Sequence, residues 1–182
     1  MVNMDKTQTN IKVVIEKIKE PILAFLAALL ISCFIISHTQ VPTESMTPTI
    51  APGNHLIVNR LPYYYRDPLR GEVVVFNQGK KHLIKRIIAG PGDTINIVDG
   101  TVYLNGSILD ETDYLDEENV TFPFSKSPVH FPYTVPEGYY FVLGDNRRNS
   151  SDSRVFGPVA RTDIIAKAGY RIFPLQSMGS IN

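Results

Sequence analysis

Apolar residues concentrate in one unbroken stretch, Pro21 to Ser37, PILAFLAALLISCFIIS, which holds no charged residue and only two hydroxyls. Such a run cannot rest in water. Its length is at the short end for a helix crossing the roughly 30 Å apolar core of a bilayer, and near the long end for the apolar part of a secretory leader. Two features favour a retained anchor. No small-x-small exit site follows in SHTQVPTES, and Lys6, Lys12, Lys17 and Lys19 precede the run while no Lys or Arg occurs from Ser37 to Asn59. Basic flanks stay in the cytoplasm, which predicts a cytoplasmic segment over 1–20, a transmembrane helix over 21–37 and an extracytoplasmic domain over 38–182. A cleaved leader and a buried core helix are the alternatives.

Beyond Ser37 the pattern changes to short apolar or alternating runs broken by Gly, Pro, Asn and Asp, which reads as a mainly β domain. Strands are predicted at Leu56–Asn59, Glu72–Phe76, His82–Ala89, Thr94–Val98, Thr101–Leu104, Tyr139–Leu143 and Ile164–Phe173, where β-branched and aromatic residues gather. That many strands suffice for a closed barrel or a sandwich. Asp99-Gly100 is a two-residue type I′ hairpin signal, and Asn105-Gly106 ends the second strand with another turn. From Asp110 to Gly138 the chain turns acidic, DETDYLDEEN, and then rich in proline and aromatics. No regular element is expected there: it reads as an excursion on the domain edge, with an aromatic surface for the bilayer interface as the alternative.

Composition narrows the partners. Eighteen basic and eighteen acidic residues cancel, so nothing suggests a nucleic-acid ligand. The single cysteine, Cys33, lies inside the apolar run, which excludes an intramolecular disulfide and cysteine-based zinc sites. No metal or cofactor is expected.

Candidate chemistry sits in three segments. In PTESMTPTIAPGN, Pro42 to Asn54, Ser45 stands where it could serve a tight turn or act as a nucleophile. In HLIKRIIAGPGD, Lys85 and Arg86 interrupt an apolar strand. By alternation Lys85 shares a face with Leu83 and Ile87, and Arg86 with Ile84 and Ile88. On an exposed edge these charges would guard against aggregation. On an interior strand, burial would drive the lysine pKa down, and a shift from about 10.4 to about 8, roughly 3 kcal/mol, leaves a neutral amine able to act as a base. The third segment, GDNRRNSSDSR, packs Asp145, Arg147, Asp152 and Arg154 with hydroxyls directly behind the apolar strand YYFVL. It is either a solvated turn or a rigid frame for a hydroxyl that orients the lysine.

Taken together, SMTP, RGEVVVF, KRIIAGPGD and GDNRRNSSDSR, in this order behind an apolar segment, resemble the motifs of bacterial type I signal peptidases, most nearly the single-anchor Gram-positive form. The resemblance runs from the anchor to about Pro158. It implies a β-rich catalytic domain behind one transmembrane helix, with Ser45 as nucleophile, Lys85 as general base and Ser150 as the hydroxyl orienting it. It also implies an oxyanion hole from the Ser45 N–H with Thr43 as second donor, and supporting roles for Arg86, Asp145, Arg147, Asp152 and Arg154. Val41, Pro42, Met46, Ile50 and Ile84 fall where the family lines shallow apolar pockets for small side chains before the cut. The implied partners are secretory preproteins and the lipid bilayer of a bacterial cell membrane. Glu72, where aspartate is more usual, and Ala89-Gly90, in place of Gly-Leu, depart from the pattern without touching the dyad.

The link from Ser37 to Ser45 reaches at most about 26 Å when extended, which keeps the nucleophile near the membrane, where a precursor presents its own cleavage site. An extended substrate is expected to pair with a strand edge. Two rival readings remain from the residues alone. A self-cleaving repressor would share the dyad but begin with a DNA-binding domain; a membrane-tethered β binding module would keep its activity in Ser45→Ala and Lys85→Ala.

Overall fold

The computed structural model describes residues 16–30, 35–116 and 120–181. The chain forms two units, Met1–Ser37 and His38–Asn182. In the first, residues 16–30 are helical. The expected span 21–37 is thus helical to residue 30, residues 31–34 lie outside the described residues, and Ile36 and Ser37 belong to a strand. That strand, β1 (Ile36–Gln40), alternates between exposed and half-buried positions, the two-residue period of a strand rather than the period of a helix. Among the described residues no helix is long and apolar enough to cross a membrane. Lys6, Lys12 and Cys33 lie outside the described residues.

In the second unit the expected mainly β architecture is present, divided between two sheets. The larger comprises β1, β2 (His55–Asn59), β3 (Val73–Gln78), β4 (Lys81–Ala89), β9 (Tyr139–Leu143), β10 (Val159–Ala160), β11 (Ile164–Phe173) and β12 (Gly179–Ser180). Its order is β1-β2-β11-β3-β4-β9-β10, with β12 also on β11. The smaller has the order β7-β6-β5-β8 and is built from β5 (Thr94–Val98), β6 (Thr101–Leu104), β7 (Ser107–Ile108) and β8 (Tyr133–Thr134). The predicted hairpin at Asp99-Gly100 forms, and the predicted turn at Asn105-Gly106 proves to be a second hairpin, pairing β6 with β7; all four residues take positive φ, as a two-residue type I′ turn requires.

Residues of both sheets meet in one core, with Ile88, Phe141 and Leu143 against Ile95, Ile97 and Val102. Strand β3 explains why the run VVVF is apolar at every position. Val73 and Val75 enter one buried cluster, Val74 and Phe76 another, so the strand is covered on both faces. Behind it, Glu72 accepts from Arg66, Lys167, Tyr63 and the Leu69 N–H. Burial alone would raise the pKa of this carboxyl, but the donors around it hold it at about 2.

β4 is an interior strand over only part of its length. β3 pairs with it from Lys81 to Arg86, whereas β9 joins the other side only from Arg86 onward. The edge-strand alternative for Lys85 and Arg86 therefore fails at Arg86, which has a neighbour on each side. Among the described residues, Lys81 to Lys85 keep one edge without a partner strand.

The segment from Asp110 to Gly138 is less detached than its composition predicts. Tyr133–Thr134 pairs with Thr94 and Ile95, Val129 and Val135 enter the core, and Thr121 is buried.

Candidate active site

The loop bearing Ser45 is closed at its base, where Val41 N–H donates to Asn54 O and Gly53 N–H to Val41 O. Inside it, the Met46 carbonyl accepts from Ile50 N–H at 2.8 Å, and both side chains are sunk in the core with Val41. These apolar anchors hold the loop against the sheet and leave Ser45 half-buried at its surface. Ile50 is completely buried and does not line the adjoining cleft, so the pocket role expected for it is not where the structure puts it.

Lys85 is 2% exposed. Its Nζ donates to Ser45 Oγ at 2.7 Å and to the Ile84 carbonyl at 2.8 Å. It forms no ion pair among the described residues. Loss of hydration pushes its pKa from 10.5 down to about 8, against the opposing pull of the Asp152 and Asp145 carboxylates. Near neutral pH a usable fraction of this amine is therefore unprotonated, pointed at a hydroxyl. Thr43 Oγ1 lies 3.3 Å from Ser45 Oγ. His82 is exposed on the cleft rim and forms no hydrogen bond with Ser45 among the described residues.

The segment after β9 frames this pair. Arg86 Nε and Nη2 grip the two Asp145 oxygens at 3.0 and 2.9 Å, while Nη1 donates to the Gly71 carbonyl. Asp152 takes the Gly144 N–H and closes a two-point pair with Arg154, whose Nη2 also holds the Arg147 carbonyl. All five of the expected supporting residues are buried, and they form this one network. Ser150 is buried too. Its Oγ has no hydrogen-bond partner among the described residues, so the expected bond to Lys85 is not made here. The hydroxyl instead lies against Gly144, beside the Ser45 carbonyl.

Residues absent from the sequence-based set complete the frame. Glu111 binds Arg147 through both oxygens, at 3.0 and 2.5 Å, and Thr121 Oγ1 accepts from the same guanidinium at 2.6 Å. The Tyr114 ring lies 3.9 Å from the Arg86 guanidinium carbon. The acidic stretch thus supplies a counter-charge that a buried arginine needs; three arginines against two aspartates in GDNRRNSSDSR was the available signal. Gly144 is the other addition. A Cβ there would collide with the Ser150 side chain and the Ser45 carbonyl, so the close approach of this segment to Ser45 requires glycine.

A cleft of about 510 Å³ opens beside Ser45 and Lys85, lined by Val41, Pro42, Met46, Val75, Leu83 and Ile84 among others. Four of the five residues expected to contact substrate are therefore on its wall. One side is the unpaired edge of β4, the other the segment Thr39–Thr43. A second cavity of about 390 Å³, near Thr49, Tyr114 and Arg171, reaches neither Ser45 nor Lys85.

The family model described as signal peptidase, peptidase S26, matches residues 14–173. Signal peptidase I T of Bacillus subtilis (strain 168) is 37% identical over 166 residues, covering 88% of this chain and 86% of the relative. A probable signal peptidase I-1 of Synechocystis is 34% identical over 176 residues, covering 91% and 86%. A crystal structure of a signal peptidase I from Enterococcus faecalis V583 aligns at 35% identity over 56% of this chain and 97% of that one, with a TM-score of 0.48.

Proposed function

The chain belongs to the signal peptidase, peptidase S26 family, as a peptidase of the signal peptidase I type, and on that premise we propose that Ser45 and Lys85 form its catalytic dyad. The observation that carries the reading is the 2.7 Å contact between Ser45 Oγ and a buried lysine that has no ion-pair partner among the described residues. Neutral Lys85 removes the Ser45 hydroxyl proton as Oγ attacks the scissile carbonyl. The Ser45 N–H and Thr43 Oγ1 receive the developing oxyanion. Protonated Lys85 then gives its proton to the leaving amine, and in its neutral form activates water to release the acyl group. Ser150 orients the amine; its buried Oγ, free of other partners among the described residues and adjacent to the Ser45 backbone, suits that role.

The substrates are secretory preproteins, cut after a small residue. The precursor lies extended along the open edge of β4 from Lys81 to Lys85, in a cleft whose Val41, Met46 and Ile84 walls leave room for small apolar side chains. The apolar run from Pro21 up to the start of β1 at Ile36 anchors the enzyme in the bacterial membrane, with the amino terminus in the cytoplasm and the domain from β1 onward outside, a reading supported by the charge-free run and the lysines before it. Purified full-length protein should cleave a preprotein in detergent or vesicles, and Ser45→Ala and Lys85→Ala should each abolish cleavage. Persisting cleavage in either variant would refute the dyad.

A further inference from the structure

We infer that Asn146 aims the Ser45 N–H into the cleft and is a positioning residue for the oxyanion. The inference rests on the dyad reading above. Asn146 holds the peptides on both sides of Ser45: its Nδ2 donates to the Glu44 carbonyl at 3.2 Å, and its own N–H donates to the Ser45 carbonyl at 3.1 Å. The Glu44 carbonyl and the Ser45 N–H belong to one planar trans peptide and point in opposite directions. Whatever holds the carbonyl therefore sets the heading of the N–H. That N–H makes no hydrogen bond among the described residues, so it is available to an incoming oxyanion.

The side-chain amide has one consistent orientation. Its Oδ1 accepts from the Asn149 N–H at 3.2 Å, which leaves Nδ2 facing Glu44 O; the reverse placement would set two acceptors against each other. The Glu44 carbonyl also accepts from the Thr47 N–H, at 3.0 Å, but that bond lies within the Ser45 loop and turns with it. Asn146 ties the loop to a different element, the segment that leaves β9 through Gly144 and Asp145 and is locked by Arg86. An asparagine is suited to this in a way aspartate is not, because the donor must meet a carbonyl oxygen without adding charge near Lys85.

The test uses the full-length enzyme and two variants. Asn146→Ala removes the donor to Glu44 and the acceptor for Asn149, whereas Asn146→Ser keeps a hydroxyl able to cap the local turn but too short to hold Glu44 O. Removing an oxyanion donor outright costs about 10²–10³ in kcat, so tilting one is expected to cost about tenfold or more in both variants. KM for a preprotein and the pH midpoint of kcat should stay put, since neither the cleft nor Lys85 is altered. Affinity for a peptide boronate, which forms a tetrahedral adduct on Ser45 Oγ, should fall by the same factor as kcat/KM. Unchanged kcat in both variants, full recovery in Asn146→Ser, or a loss accompanied by a moved pH midpoint would overturn the inference and leave the dyad standing. Cleavage by Ser45→Ala would instead overturn the dyad reading and this inference with it.

Discussion

Lys85 and Arg86 are consecutive on β4 and equally buried, yet Arg86 closes a two-point ion pair with Asp145 while Lys85 forms no ion pair among the described residues and turns its amine to Ser45. The arginine keeps a compensating charge and braces the frame. The lysine loses hydration without one, and its pKa falls toward neutrality.

The cleavage rate should follow that pKa. If Lys85 is the base proposed above, it must be neutral to accept the Ser45 proton, so kcat/KM is expected to rise about tenfold per pH unit below pH 8 and level off above the Lys85 pKa of about 8. Initial rates on one preprotein between about pH 6 and 9.5 read this directly; a flat profile would remove Lys85 as the base.

The same shift has a cost in stability. Because folding lowers the Lys85 pKa from 10.5 to about 8, the unfolded chain holds the extra proton between these values and stability rises with pH across that window. Below pH 8 the full penalty applies, on the order of 3 kcal/mol. Lys85→Met is thus expected to be inactive but more stable than wild type at pH 7, by up to about 2 kcal/mol, with the difference shrinking toward pH 10. Urea melts at the two pH values measure it.

Gly144→Ala should disable the site through backbone crowding. Its new methyl would meet Ser150 and the Ser45 carbonyl, neither of which can retreat far in a buried frame. We expect a kcat loss of about a hundredfold and destabilisation of about 1–3 kcal/mol. Wild-type kinetics in this variant would contradict the observed approach.

Glu111 links the acidic excursion to the frame. Its removal leaves the buried Arg147 without a carboxylate partner, and Glu111→Ala is expected to cost about 3 kcal/mol, whereas Asp113→Ala, on an exposed neighbour, should change stability by less than about 0.5 kcal/mol. Parallel thermal melts distinguish the two.

Much of this was legible because the pattern is local. The alternation of Thr94–Val98 and Thr101–Leu104 around Asp99-Gly100 specifies a hairpin from neighbouring residues alone, and the structure contains it. The segment 110–138 was legible only as irregular chain. Nothing within it says that Glu111 and Tyr114 face arginines from distant positions, because those partners depend on chain closure rather than on period.

Sequence by itself determined the β-rich character, the position of the hairpins and the ordered motifs that single out Ser45 and Lys85. Tertiary structure decided which edge of β4 stays open, that Ile50 belongs to the core rather than the cleft, and that Gly144 and Asn146 press against the Ser45 backbone. The reason is physical: a period or a turn residue acts over a few positions, whereas desolvation, ion pairing and close approach depend on which distant segments share one small volume.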